Sequence, residues 1–144
     1  MKRCVKNLLV TLALTFCIVP PALAGSYLDG LIKAAEQGDA GSQVQLGAMY
    51  LMGQGVPQDT AKAVALYLRA AEQGYAYAQY DLGAMYAEGR NMPQDYVAAY
   101  KWLSLAAAQG VKMAMQFRND VTPKMTPAQT TEAQQQVREW RPKK

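Results

Sequence analysis

The sequence predicts an all-α protein, a short solenoid of stacked helix pairs closed by a C-terminal helix. Three observations carry that expectation. The pentapeptide LGAMY stands at Leu46–Tyr50 and again at Leu82–Tyr86, 36 residues later. Residues 34–69 and 70–105 share 17 identities, grouped in spaced blocks: AAEQG at Ala34 and Ala70, LGAMY, and PQD at Pro57 and Pro93. Between the blocks the apolar residues recur at helical spacing. A period of this length marks one supersecondary unit whose copies stack to bury a shared core.

The first 24 residues read as a secretory signal peptide. Lys2, Arg3 and Lys6 open it, Leu8–Val19 is a mainly apolar run uninterrupted by charge, and Ala22-Leu23-Ala24 supplies small residues at −3 and −1. The apolar run is shorter than the roughly 20 residues of a membrane span, and Pro20-Pro21 ends it. Phe16 before Cys17 is too bulky for a lipoprotein processing site. Cleavage is therefore expected at Ala24–Gly25. It removes both cysteines, Cys4 and Cys17, and leaves 120 residues with no histidine and no disulfide, so stability rests on packing. Net charge falls from +4 to +1.

The expected domain plan is a leader at 1–24, a repeat region at 25–120 and a C-terminal unit at 121–144. Tyr27–Gln37 aligns with second helices alone, through Leu31, Ala34 and Ala35. Full repeats follow at about 40–75 and 76–111. In the first helix of the second copy, Ala78, Leu82, Met85 and Tyr86 form one apolar face. In the second helix Ala99, Trp102, Leu103, Ala106 and Ala107 do so, as do Ala63, Leu66, Tyr67, Ala70 and Ala71 one copy earlier. Gly47 and Gly83 stand inside helices at about 1 kcal/mol disadvantage to alanine, which points to close packing of the paired helix. Gly53 and Gly89, then Gly38, Gly74 and Gly110, sit where helices should end in left-handed caps. Gly55 is replaced by Asn91, and both tolerate positive φ. Asp59 and Asp95 are expected N-caps of the second helices. Met113–Asp120 supplies a degraded first helix. Thr126-Pro127-Ala128-Gln129 then opens a capping helix through Trp140, with a capping box and proline at N1.

At this point the residues resemble a known family. The pattern A-x-x-x-LG-x-M-Y-x-x-G-x-G-V-x-x-D-x-x-x-A followed by AA-x-x-G is similar to the Sel-one-like repeat (SLR), a relative of the tetratricopeptide repeat. The resemblance covers about residues 27–117, and MTPAQ…EAQ…W resembles the tail of bacterial SLR proteins. Asn91-Met92 departs from the usual Gly-Val. The cysteine pairs of the disulfide-rich branch are missing, so activities proposed for that branch do not carry over. The resemblance implies a right-handed α-solenoid of tetratricopeptide-like helix pairs whose concave groove holds a protein or peptide. With the leader at 1–24, the expected setting is periplasmic or secreted, in a Gram-negative bacterium.

Composition argues against catalysis. Without His or Cys in residues 25–144, the usual general base, zinc ligands and thiol nucleophile are missing. Ser26, Ser42 and Ser104 remain, and Lys101 three residues before Ser104 reads as a solvated lysine near a helical serine. Asp59 and Asp95 are explained as caps, and no glycine run cradles phosphate. No cofactor or metal is expected. No basic face interleaved with aromatics suggests nucleic acid. Residues 111–144 carry seven cations against three anions, read as a solvated helix end, with an acidic surface or membrane as the alternative. No stable membrane insertion is expected after cleavage.

The expected role is an exported, non-enzymatic interaction scaffold. The alternative is a periplasmic accessory that binds a cell-wall glycan or a peptidoglycan-processing enzyme. With Leu46 at the centre of the buried stripe and about 100° per residue, the opposite side of the first helix carries Gly41, Val44, Ala48 and Leu51, edged by Gln45 and Met52. One repeat later the same side carries Tyr77, Tyr80, Ala84 and Ala87, edged by Asp81 and Glu88, and the degraded copy adds Met113 and Gln116. These residues are the candidate groove. Packing of Tyr77 and Tyr80 against a neighbouring element is the competing expectation.

Overall fold

A computed structural model describes residues 21–143, with side chains from residue 25 onward. Residues 1–20, with most of the expected leader and both cysteines, lie outside them. The described chain is helical throughout: α1 (Pro21–Glu36), α2 (Ala40–Met52), α3 (Thr60–Glu72), α4 (Ala76–Glu88), α5 (Tyr96–Ala108), α6 (Lys112–Val121), a 3₁₀ turn (Thr122–Lys124) and α7 (Pro127–Glu139). α1 starts earlier than expected and runs across the Ala24–Gly25 site.

The boundaries follow the punctuation of the sequence. Asp59 accepts from the Lys62 backbone N–H at 3.0 Å, and Asp95 accepts from Val97 and Ala98 at 2.9 and 3.0 Å. Asp39 caps α2 through Ser42 at 2.7 Å, whereas Tyr75 and Val111 leave α4 and α6 without a side-chain cap. Gly53 and Gly89 close α2 and α4 at φ 65°, and Asn91 takes φ 67° where Gly55 takes 73°. Thr126 and Gln129 form the reciprocal capping box of α7.

Each helix from α1 to α6 packs on the next, and the core runs along the stack as three clusters. Leu31, Ala35 and Leu46 form the first. Tyr67, Ala70, Ala71, Ala78, Leu82, Trp102 and Leu105 form the middle, and Ala87, Ala99, Leu103, Ala106, Ala114 and Val121 the last. Fully buried alanines let neighbouring helix backbones approach closely, and the glycines take this further. A Cβ on Gly83 would lie 2.6 Å from Leu103 Cγ, and one on Gly47 would lie 3.2 Å from Tyr67 Cε2.

α7 does not extend the stack beyond α6. It packs on α5, burying Ala133 and half-burying Val137 and Trp140. The chain then crosses toward α3, where the Lys143 N–H donates to the Glu72 carbonyl at 2.7 Å and Lys143 Nζ meets the Glu72 carboxylate at 2.6 Å. This return explains why Ser104 and Leu105 are buried along with the predicted face of α5.

Candidate functional site

α4 is the element that builds the site. Its Ala78, Leu82 and Met85 are buried in the core, which turns Tyr77, Tyr80, Asp81, Ala84 and Glu88 toward the other side. A cleft of about 310 Å³ opens there. Leu51 of α2, Tyr67 of α3 and Phe117 of α6 join Tyr80, Asp81, Ala84, Met85 and Glu88 around it, and Arg90 and Asn91 of the following loop complete the lining.

Three of these groups carry charge. Glu88 is engaged by Arg90 across two residues. Asp81 has neither an ion pair nor a hydrogen bond with another described residue, and burial pushes its carboxyl up to about 6. Burial, with the Asp81 charge as the lesser cause, pushes the Tyr67 phenol up to about 12. A carboxylate partly withdrawn from water beside a phenol is therefore the main electrostatic feature of the cleft.

Of the predicted groove residues, Leu51, Tyr80, Asp81, Ala84 and Glu88 meet in this cleft. Val44 packs half-buried against the middle cluster. Gln45 is exposed and donates to the Tyr27 hydroxyl, tying α2 to α1. Met52, Tyr77 and Met113 lie outside the cleft lining at 59, 64 and 60 % exposure, and Gln116 is exposed as well. Tyr80 is half-buried against the last cluster, while Tyr77 stands free with its ring centroid 6.2 Å from that of Tyr75. Ala87, expected on the open side, is buried in the last cluster, because α6 packs on α4.

Tyr67, Met85, Arg90, Asn91 and Phe117 line the cleft without having been expected in the groove, and Met85, like Tyr67, was expected in the core. Phe117 stands 36 residues after Asp81, so the period reaches it. Tyr67 was assigned to the core by its helical register. Its ring does pack there, yet the side chain also reaches the cleft wall.

Elsewhere, Lys101 Nζ sits 4.6 Å from the Trp102 ring centre, and the buried Ser104 Oγ has no hydrogen-bond partner among the described residues. The two do not form a nucleophile–base pair. Among the described residues no group of three metal-ligating side chains occurs, and no helix is long and apolar enough to cross a membrane.

No curated protein matches the chain. Solved structures do. A protective antigen of uropathogenic Escherichia coli displaying an SLR fold superposes with a TM-score of 0.73 at 29% identity, over 83% of this chain. This chain spans only 28% of that antigen's length. A Sel1 repeat protein from Oxalobacter formigenes superposes with a TM-score of 0.61 at 37% identity, covering 69% of this chain and 84% of its own. The Sel1 repeat model matches residues 31–39, 40–75 and 76–111, more than half of the sequence. With the glycine and aspartate caps, the close-packed glycines and the helix pairing all in place, the chain belongs to the Sel1 repeat family.

Proposed function

We propose that the chain is an exported, non-enzymatic scaffold that holds a protein or peptide partner against the side of α4 opposite the core, with flanking contacts from α2 and α6. Sel1 repeats commonly serve as protein–protein interaction scaffolds. The observation that carries the reading is where the two full repeats differ. Their identities fall on the frame: LGAMY, the capping aspartates and the end glycines. On the open side, Gly41 gives way to Tyr77, Val44 to Tyr80, Gln45 to Asp81 and Met52 to Glu88. The result is a face with large exposed apolar side chains, Tyr77, Met52 and Met113, of a kind that marks interaction surfaces.

Export is supported by the leader-like residues 1–24, which direct the protein to the periplasm or the medium. The test combines capture and mutation. Bait carrying Tyr77→Ala and Tyr80→Ala is compared with the parent in pull-downs from envelope extracts, with and without isolated peptidoglycan. A protein partner retained without peptidoglycan and lost with the double variant is expected. Retention of peptidoglycan alone would replace the scaffold reading with the glycan-binding one.

A further inference from the structure

We infer that the cleft beside α4 receives a basic side chain, a lysine or arginine of the partner, with Asp81 as its counter-ion. The inference rests on the partner-binding reading of that face and names the chemistry of what it binds.

Charge is the first argument. Taking a carboxylate out of water without a cation or donor is unfavourable, and folded chains keep such groups paired. Asp81 is unpaired among the described residues. The one cation in the cleft lining, Arg90, is engaged by Glu88. Asp81, Glu88 and Arg90 together leave one negative charge uncompensated, and it is the charge set into the wall.

The surroundings of that charge are the second argument. Tyr67, Tyr80 and Phe117 line the same cleft. Aromatic rings attract ammonium and guanidinium groups through their quadrupoles, and they also cover the methylenes of a long basic side chain. At about 310 Å³ the cleft stands at the lower end of ligand pockets (roughly 300–1,000 Å³), a size suited to one long side chain. An acidic group is repelled there, and a neutral one leaves Asp81 desolvated and still unpaired, so the site discriminates by penalty as well as by attraction.

The repeat itself supplies the third argument. Asp81 corresponds to Gln45 in the preceding copy and to Phe117 in the next. The frame folds with an amide, a carboxylate or a phenyl ring at this position. The acid caps no helix and bridges no pair of elements, unlike Asp39, Asp59 and Asp95, so folding gives no account of it.

The test is selection of short random displayed peptides against the full chain, followed by titration of the selected peptides against the parent, Asp81→Asn and the Tyr77→Ala, Tyr80→Ala double variant. Lysine or arginine should recur at one position of the selected set. Its replacement by methionine should weaken binding to the parent by about tenfold or more and change binding to Asp81→Asn little. Circular dichroism should show the variant folded. Peptides that depend on Tyr77 and Tyr80 but tolerate the methionine swap, or that bind Asp81→Asn as well as the parent, overturn the counter-ion assignment and leave the partner-binding face standing. Failure to select any peptide that is sensitive to Tyr77 and Tyr80 removes both.

Discussion

Gly47 and Gly83 occupy the same position of the repeat, yet a methyl group would meet different neighbours at each. At Gly83 it would lie 2.6 and 2.9 Å from Leu103 carbons and 3.1 Å from the Leu103 backbone nitrogen, which cannot move aside. At Gly47 it would meet a tyrosine ring edge at 3.2 Å and the Ala63 carbonyl at 3.3 Å. Alanine in a helix gains about 1 kcal/mol over glycine, and overpacking costs about 1–3 kcal/mol. Gly83→Ala, with the tighter clash, should therefore lower stability by up to about 2 kcal/mol in denaturant titrations, while Gly47→Ala leaves it unchanged or raises it by up to about 1 kcal/mol. Equal losses at both positions would refute the distinction. Ser104 gives a prediction of opposite sign. Its buried hydroxyl has no partner among the described residues, so Ser104→Ala should leave stability unchanged or raise it by about 1 kcal/mol, and a clear loss would show that the hydroxyl is hydrogen-bonded after all.

Between elements, glutamines do the joining. Gln43 Nε2 donates to the Ala35 carbonyl at 3.1 Å and its Oε1 accepts from Gln73 at 2.9 Å. One repeat later Gln79 donates to Ala71 at 3.1 Å and accepts from Gln109 at 2.8 Å. Each buried amide thus joins the end of one second helix to the end of the next. The equivalent of Gln43 in the degraded copy is Met115, which is exposed, and the ladder stops where the pairing stops. Gln79→Leu should cost about 1–3 kcal/mol, because the Ala71 carbonyl and the Gln109 amide lose their buried partner. The PQD block acts in a similar way. Gln58 and Gln94 each donate at 2.8 Å to the ends of α2 and α4, at Leu51 and Ala87, before the aspartate starts the next helix.

For the molecule as a whole, pH separates the groove from the frame. The Asp81 carboxyl is pushed from 3.8 up to about 6 in the fold, so folding disfavours its ionised form. Below pH 4 it is protonated both folded and unfolded and contributes nothing. As pH rises from about 4 to 6 the unfolded chain ionises first, and stability falls. Asp39 and Asp59 are shifted downward by their cap hydrogen bonds, so their stabilisation is lost only below about pH 4. Melting temperature should therefore decline between about pH 4 and 6 in the parent, and Asp81→Asn should remove that decline. An unchanged slope in the variant would return Asp81 to the solvent. Intact mass of exported protein should begin at Gly25, and a mass retaining residues 1–24 would refute the leader.

Residues repeated at 36 were enough to set the helix pairs, their caps and even the left-handed Asn91, because these depend on local backbone chemistry that a short stretch encodes by itself. The close contact at Gly83 was legible too, since a helical glycine kept twice signals its own cost. The groove was legible only in part. Helical register named Leu51, Tyr80, Asp81 and Glu88, but it put Ala87 in the open and Tyr67 wholly inside. Both outcomes depend on how α6 and α3 lie against α4, a matter of packing between elements that a single-helix projection lacks. The route of α7 back across α5, and with it the burial of Ser104, likewise came only from tertiary structure, because the apolar residues of a terminal helix state that it must dock and not which neighbour offers the surface.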